Sequence, residues 1–221
     1  MKINGIEISW LGHSGFLINN GKNIYIDPYN IKDTGKKADI ILITHSHYDH
    51  CSIADISKII KQGTIIVLPA NVQSKITKFD QEISMQIAEP GDKIELGNVK
   101  IEVVNAYNTD KEFHPQQESW LGFVVKIENV IIYHAGDTDC IPEMEKLTGY
   151  GKQGNEFIAL LPVGGKFTMD AEQAAKAASI IKPTIAIPMH FGSVVGTEED
   201  AKKFCRLCQE AGIKAEILEK I

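Results

Sequence analysis

The sequence predicts an α/β (α+β) fold of two packed sheets with helices outside. Three observations carry that expectation. Strand and helix patterns alternate at both ends of the chain, around a strand-rich middle broken by hairpin turns. Both ends deliver polar residues from the ends of buried strands. There is no internal repeat, low-complexity tract or linker, so residues 1–221 are expected to form a single domain.

Residues 6–11 begin a strand, Gly12-His13-Ser14-Gly15 interrupts it, and residues 16–18 resume it before the turn Asn19-Asn20-Gly21. Residues 23–26 return as a strand that Asp27-Pro28 stops. Residues 38–43 are short, β-branched and apolar, which marks a buried strand. Residues 52–60 place apolar side chains at helical spacing, and Gly63 ends that helix. A strand over 64–68 and a short helix over 71–79 follow, then strands over 84–88, 93–96, 99–106, 121–127 and 130–134. The last third alternates: strand 157–162, helix 171–181, strand 184–188 and helix 198–211. Asp170, with Gln173 three residues on, reads as the N-cap of the first of these helices.

The composition is that of a soluble globular protein, 43% hydrophobic and 24% charged. A net charge of -6 argues against a general basic surface for nucleic acid. No apolar run approaches the ~20 residues that span a bilayer, and residues 1–5 do not read as a signal peptide. The expectation is a cytoplasmic protein acting on a small molecule, with no nucleic-acid partner and no integral membrane segment; a homo-oligomer is compatible with this. Cys51, Cys140, Cys205 and Cys208 are scattered and are expected as free thiols in a reducing compartment. Cys205 and Cys208 have the spacing of a metal or redox pair, but they lie in an expected helix with no second pair, so packing is the simpler reading.

The chemistry concentrates in Thr44-His45-Ser46-His47-Tyr48-Asp49-His50, directly after a buried strand. Strand spacing sends His45 and His47 to one side, and Asp49 and His50 follow in the turn. Imidazole and carboxylate converging on one point suit zinc, manganese, iron or nickel. A solvated polar loop is the plainer alternative, but this density of ligand types favours a metal. Two further strands end similarly, one in Ala135-Gly136-Asp137-Thr138 and one in Pro188-Met189-His190. Either residue alone could merely cap a following element. Beside the central motif, both become candidate ligands.

His45-x-His47-x-Asp49-His50, then Asp137 and a late His190, resembles the metallo-β-lactamase superfamily in order and context, over essentially the whole chain. Residues 10–14, Asp27-Pro28, 133–138, 161–169 and 187–190 look most like the branch of ascorbate-6-phosphate lactonase and N-acylphosphatidylethanolamine-hydrolysing phospholipase D. The resemblance implies a four-layer αββα sandwich. It implies His45 and His47 on one divalent ion, Asp49, His50 and His190 on a second, and Asp137 bridging them. Superfamily members carry a third histidine for the first ion after a central strand, and here this sequence departs. Asn108 stands at that point, and the nearby histidine is His114, in a loop that Pro115 stiffens. Either His114 reaches back to the metal or Asn108 leaves the first site weak, with a single ion as the alternative.

Three more residues belong to the candidate site. His13 sits in a glycine-flanked break where backbone can approach a pocket closely. His134 could line the site or, from a buried strand, orient a ligand. Lys166, in Gly164-Gly165-Lys166, could meet an anionic substrate or simply be solvated. The expected reaction is hydrolysis of an ester, lactone or phosphodiester by metal-activated water, with Asp49 orienting the water or relaying a proton and with His13, Lys166 or Asn108 meeting substrate. One or two ions are expected, zinc first, then manganese, nickel or iron. The rivals are an iron-dependent oxidoreductase resembling persulfide dioxygenases, a nuclease, and a non-catalytic metal-binding protein. The flanking motifs, the absence of long basic insertions and the full ligand set weigh against each in turn.

Overall fold

The computed structural model describes residues 1–76 and 79–221. A seven-stranded sheet follows chain order: β1 (Lys2–Ile3), β2 (Ile6–Gly12), β3 (Gly15–Asn19), β4 (Asn23–Ile26), β5 (Ile40–Leu42), β6 (Ile65–Leu68) and β7 (Ser84–Ile87). Strands β1 to β4 pair antiparallel, and β4 to β7 pair parallel. The second sheet contains β8 (Lys93–Leu96), β9 (Val99–Asn105), β10 (Leu121–Ile127), β11 (Val130–His134), β12 (Glu156–Pro162) and β13 (Ile185–Met189), also in chain order. It too begins as an antiparallel meander and ends with parallel pairs, β11 to β12 and β12 to β13. The two halves of the chain thus share one plan.

Alternation along the strands explains the layering. In the first sheet, Ile24, Ile26, Ile40, Leu42 and Val67 join the larger core with Val103, Phe123, Val125 and Ile132 of the second sheet. Their neighbours Tyr25, Ile41, Ile43, Ile66 and Leu68 face the other way, into a smaller core with Ile56 and Ile59 of helix α1 (Ile53–Ile59). Period-two side-chain direction makes one strand serve both layers. Helices α2 (Ala171–Ile181) and α3 (Glu198–Glu210) cover the second sheet; the buried alanines 174, 175, 177 and 178 let α2 lie close to it. The outcome is two mixed sheets with helices outside, as the sequence predicts.

Local rules fix the ends. Asp170 and Gln173 form the expected capping box of α2, and Thr197 with Asp200 forms another on α3. The segment expected as a helix over 71–79 is instead a 3-10 helix, Ala70–Lys75; residues 77 and 78 lie outside the described residues. Val72 is the only residue that this 3-10 helix buries, too little to sustain a longer amphipathic face. Cys205 and Cys208 are buried in the core with free thiols, the packing role. Among the described residues, no helix is long and apolar enough to cross a membrane.

Candidate metal centre

The site lies where the segments after β5, β9, β11 and β13 meet the break between β2 and β3. The main-chain N–H of Leu121, the first residue of β10, donates to the Thr44 carbonyl (3.0 Å), so the two sheets are tied beside the central motif. The motif itself lies beyond β5, in bends and turns. Its histidines converge through that loop and not through strand alternation.

Asp27 organises this loop. It is fully buried at the end of β4, accepting from the Thr44 main-chain N–H (2.8 Å), the Thr44 hydroxyl (2.6 Å) and His50 Nδ1 (2.7 Å). The Thr44 hydroxyl, having donated, accepts from His45 Nδ1 (3.0 Å). Both rings therefore present Nε2 inward, the tautomer control that metal-binding histidines require. Burial lowers the His50 pKa, but the Asp137 and Asp27 carboxylates outweigh it and hold the ring well above the usual imidazole range. Burial and the neighbouring His50 push His45 well below that range.

His114 is brought to the same place by a loop latch. The Asn108 amide donates to the carbonyls of Phe113 (2.8 Å) and Phe167 (2.7 Å), while the Asn108 main-chain N–H donates to the His114 carbonyl (2.8 Å). His114 Nδ1 donates to the Phe167 carbonyl (3.0 Å), leaving Nε2 for the centre. His45 Nε2 and His114 Nε2 lie 3.1 and 3.3 Å from His47 Nδ1. Trp120, buried, stacks on His45 at 4.7 Å and stands edge-on to His47.

Asp49, His50 and His190 form a second cluster, which His13 joins. His13 Nε2 donates to Asp49 Oδ2 (3.0 Å). Burial pulls His13 down to about 4, against the pull of the Asp49 hydrogen bond, so the ring is neutral at pH 7. Despite burial, His13 and His50 hold Asp49 down to about 2, so it is an acceptor throughout the neutral range. Asp137 stands between the clusters. Its Oδ2 is 3.2 Å from His114 Nε2, 3.1 Å from His190 Nε2 and 3.9 Å from His45 Nε2, and its Oδ1 is 3.3 Å from His50 Nε2.

These donors fit a divalent cation. His50 Nε2, Asp137 Oδ1 and His190 Nε2 are buried without a hydrogen-bond partner. Ligand nitrogens about 2.0–2.1 Å from a tetrahedral ion lie about 3.3 Å apart, close to the separations within the His45, His47 and His114 group. His13, Asp27, His114 and His190 also hold positive φ (53°, 44°, 58° and 60°), a conformation costly for residues with a Cβ and concentrated at functional sites.

The other sequence candidates fall outside the cluster. His134, expected to meet substrate, is fully buried, donating from Nε2 to the Ser14 carbonyl (2.8 Å) and accepting at Nδ1 from Gly136 N–H (3.2 Å). Its two ring nitrogens are thus engaged with the backbone ahead of Asp137, the orienting role that the sequence also allowed. Asn108 gives its amide nitrogen to the latch, while its Oδ1 is buried without a hydrogen-bond partner. Lys166 is exposed, with Nζ 4.9 Å from the Phe167 ring centroid. Sequence reasoning missed the roles of Asp27, Thr44 and Trp120. Asp27 left one signal, an acid closing a buried strand ahead of proline.

Comparison with known proteins agrees with this architecture. The family described as Beta-lactamase superfamily domain matches residues 7–190. A UPF0173 metal-dependent hydrolase of Thermoplasma acidophilum is 34% identical over 94% of this chain and 92% of its own length. One of Nanoarchaeum equitans is 34% identical over 97% of both chains. A solved protein of Parabacteroides distasonis, to which a metal-dependent hydrolase function is ascribed, superposes with a TM-score of 0.83 at 32% identity, over 97% of this chain and 94% of that one. Igni18, a metallo hydrolase from Ignicoccus hospitalis, is alike in fold, with a TM-score of 0.76 at 24% identity. With its ligand-type residues gathered at one edge of two mixed sheets, the chain belongs to the metallo-β-lactamase superfamily and, within it, to the UPF0173 metal-dependent hydrolases.

Proposed function

We propose that this protein hydrolyses an ester, lactone or phosphodiester bond of a small molecule with two bound divalent ions, zinc first among them. The observation that carries the reading is Asp137, whose carboxylate stands between the two groups of imidazole nitrogens, with Oδ2 near His114 and His190 and Oδ1 near His50. His45, His47 and His114 would hold one ion, Asp49, His50 and His190 the other, and Asp137 would face both. A bound ion of this kind supplies Lewis acidity and brings the ionisation of water near neutral pH. The nitrogen-rich first group favours zinc, and manganese, iron and nickel accept the same ligands.

The chain's own residues order the reactants. In acyl hydrolysis a bond forms between water oxygen and acyl carbon, the acyl C–O bond breaks, and a proton must reach the departing alkoxide. Asp49, ionised and steered by His13, offers a fixed acceptor for that water. His13 Nδ1, buried and without a hydrogen-bond partner, is a further proton acceptor within the second cluster. The flanking residues 10–14 and 161–169 resemble a branch that contains both a lactonase and a phospholipase D, so acyl and phosphodiester substrates both lie within this reading.

The test is elemental analysis of the purified native protein beside His114→Ala and Asn108→Ala. Two equivalents of metal falling to one in His114→Ala, and staying at two in Asn108→Ala, are expected. A metal content that His114→Ala leaves unchanged would refute the assignment.

A further inference from the structure

We propose that the substrate carries an apolar acyl group, held by two aromatic pairs at the mouth of the metal centre. This inference rests on the hydrolase reading and sharpens it to an uncharged apolar ester or lactone. The mouth is marked by His47, which is half-buried while the other residues of the two clusters and Asp137 are buried. Among the described residues, the exposed large hydrophobics are Tyr48, Ile87, Phe113 and Ile221. Two of these four adjoin site histidines: Tyr48 follows His47, and Phe113 precedes His114. Tyr48 is 64% exposed and Phe113 44%, an arrangement that leaves their apolar surface free for a ligand.

Each packs edge-on against an aromatic ring from another loop. Tyr48 meets Tyr29 with centroids 5.7 Å apart, and Tyr29 in turn stands 5.9 Å from His13. Phe113 meets Phe167 at 4.7 Å, and the Phe167 carbonyl is the acceptor for His114 Nδ1. One aromatic pair therefore flanks each half of the centre. Edge-to-face geometry fixes the rings in place, so little side-chain freedom is lost when a ligand arrives.

The charged groups point the same way. A phosphorylated substrate is usually gripped by bidentate arginine. The chain has one arginine, Arg206, exposed on α3 in the outer helix layer. Of the nearby lysines, Lys75 donates to the Ser46 carbonyl and Lys166 rests over the Phe167 ring. Neither belongs to a paired clamp.

The experiment compares metal-loaded native protein with Tyr48→Ala, Phe113→Ala and the distant control Ile87→Ala. The probes are p-nitrophenyl octanoate, p-nitrophenyl acetate and bis(p-nitrophenyl) phosphate, with octanamide and acetamide binding followed by saturation-transfer NMR. Expected is a kcat/KM for octanoate at least about tenfold above acetate, carried by KM, with the ratio falling about tenfold in either aromatic variant and not in Ile87→Ala. Equal use of both acyl esters, or preference for the phosphodiester, would overturn the apolar slot and leave the hydrolase reading standing. Without turnover of any probe the hydrolase reading falls. Octanamide binding lost in Tyr48→Ala or Phe113→Ala would then keep the slot, and its absence from native protein would overturn both.

Discussion

The Trp10 indole donates from Nε1 to the carbonyl oxygen of His13 across 2.9 Å. The same oxygen accepts the His190 main-chain N–H at 3.0 Å, and Trp10 stacks on Phe191 with centroids 4.9 Å apart. Residues from opposite ends of the chain, both with positive φ, are thus clamped at one carbonyl. Trp10→Phe keeps the stacking and removes the donor. A buried hydrogen bond contributes about 1 kcal/mol, so metal affinity at the second group should fall about five- to tenfold. Chelator competition measures it; unchanged affinity would show the clamp to be passive.

Asp27 touches no proposed metal position, yet it sets the tautomers of His50 and, through Thr44, of His45. Asp27→Asn replaces an acceptor for three donors with an amide that must itself find an acceptor. Outer carboxylates that orient ligating histidines are worth about 10–100-fold in metal affinity or activity. Calorimetric titration of metal into the stripped variant should show a loss of that size.

Gly164 has no room for a side chain. A Cβ there would lie 2.6 Å from the His190 carbonyl oxygen, 2.8 Å from Val195 Cγ1 and 3.0 Å from His190 Nδ1. Gly164→Ala must push the His190 loop outward. We expect about 1–3 kcal/mol of lost stability in urea melts, typical of overpacking, together with loss of metal from the second group. Full metal content in a stable variant would contradict this.

Acid sensitivity should come in part from Asp55, remote from the metal donors. Its carboxylate accepts from Asn30 N–H (2.7 Å), Ile31 N–H (3.2 Å), Ser52 Oγ (2.7 Å) and Lys58 Nζ (2.7 Å). Burial raises its pKa, but Lys58, Ser52 and the two backbone donors outweigh burial and hold it below the usual carboxylate value. A depressed folded pKa gives stability that is complete above the unfolded value, near 4, and disappears as pH falls through the folded one. Native protein should lose stability between about pH 5 and 3 more steeply than Asp55→Asn, which should itself cost about 2 kcal/mol at pH 7. Parallel urea melts across that range would decide it.

The central motif, Asp137 and His190 were legible because each follows a buried apolar strand, and burial patterns are local information. The two sheets were legible for the same reason. Whether His114 or Asn108 approaches the centre could not be read from residues 106–120, which carry no periodic signal. Their shape depends on the Asn108 amide meeting the Phe167 carbonyl, 59 residues away in sequence. The Trp10 clamp is equally non-local. Asp27 looked like a strand stop, since the donors it collects come from residues 17 and 23 positions further on.

The spacing of the donors along the chain has a consequence for biosynthesis. A ribosome releases His13 and the cluster from His45 to His50 early, His114 and Asp137 later, and His190 only with the closing strand β13. The nascent chain can offer a passing ion the central motif long before the rest of the donor set exists. The Asp137 carboxylate that faces both groups, and the His190 ring beside it, are available only after the second sheet has assembled. The full donor set is therefore complete only late in synthesis, once β13 has joined the second sheet.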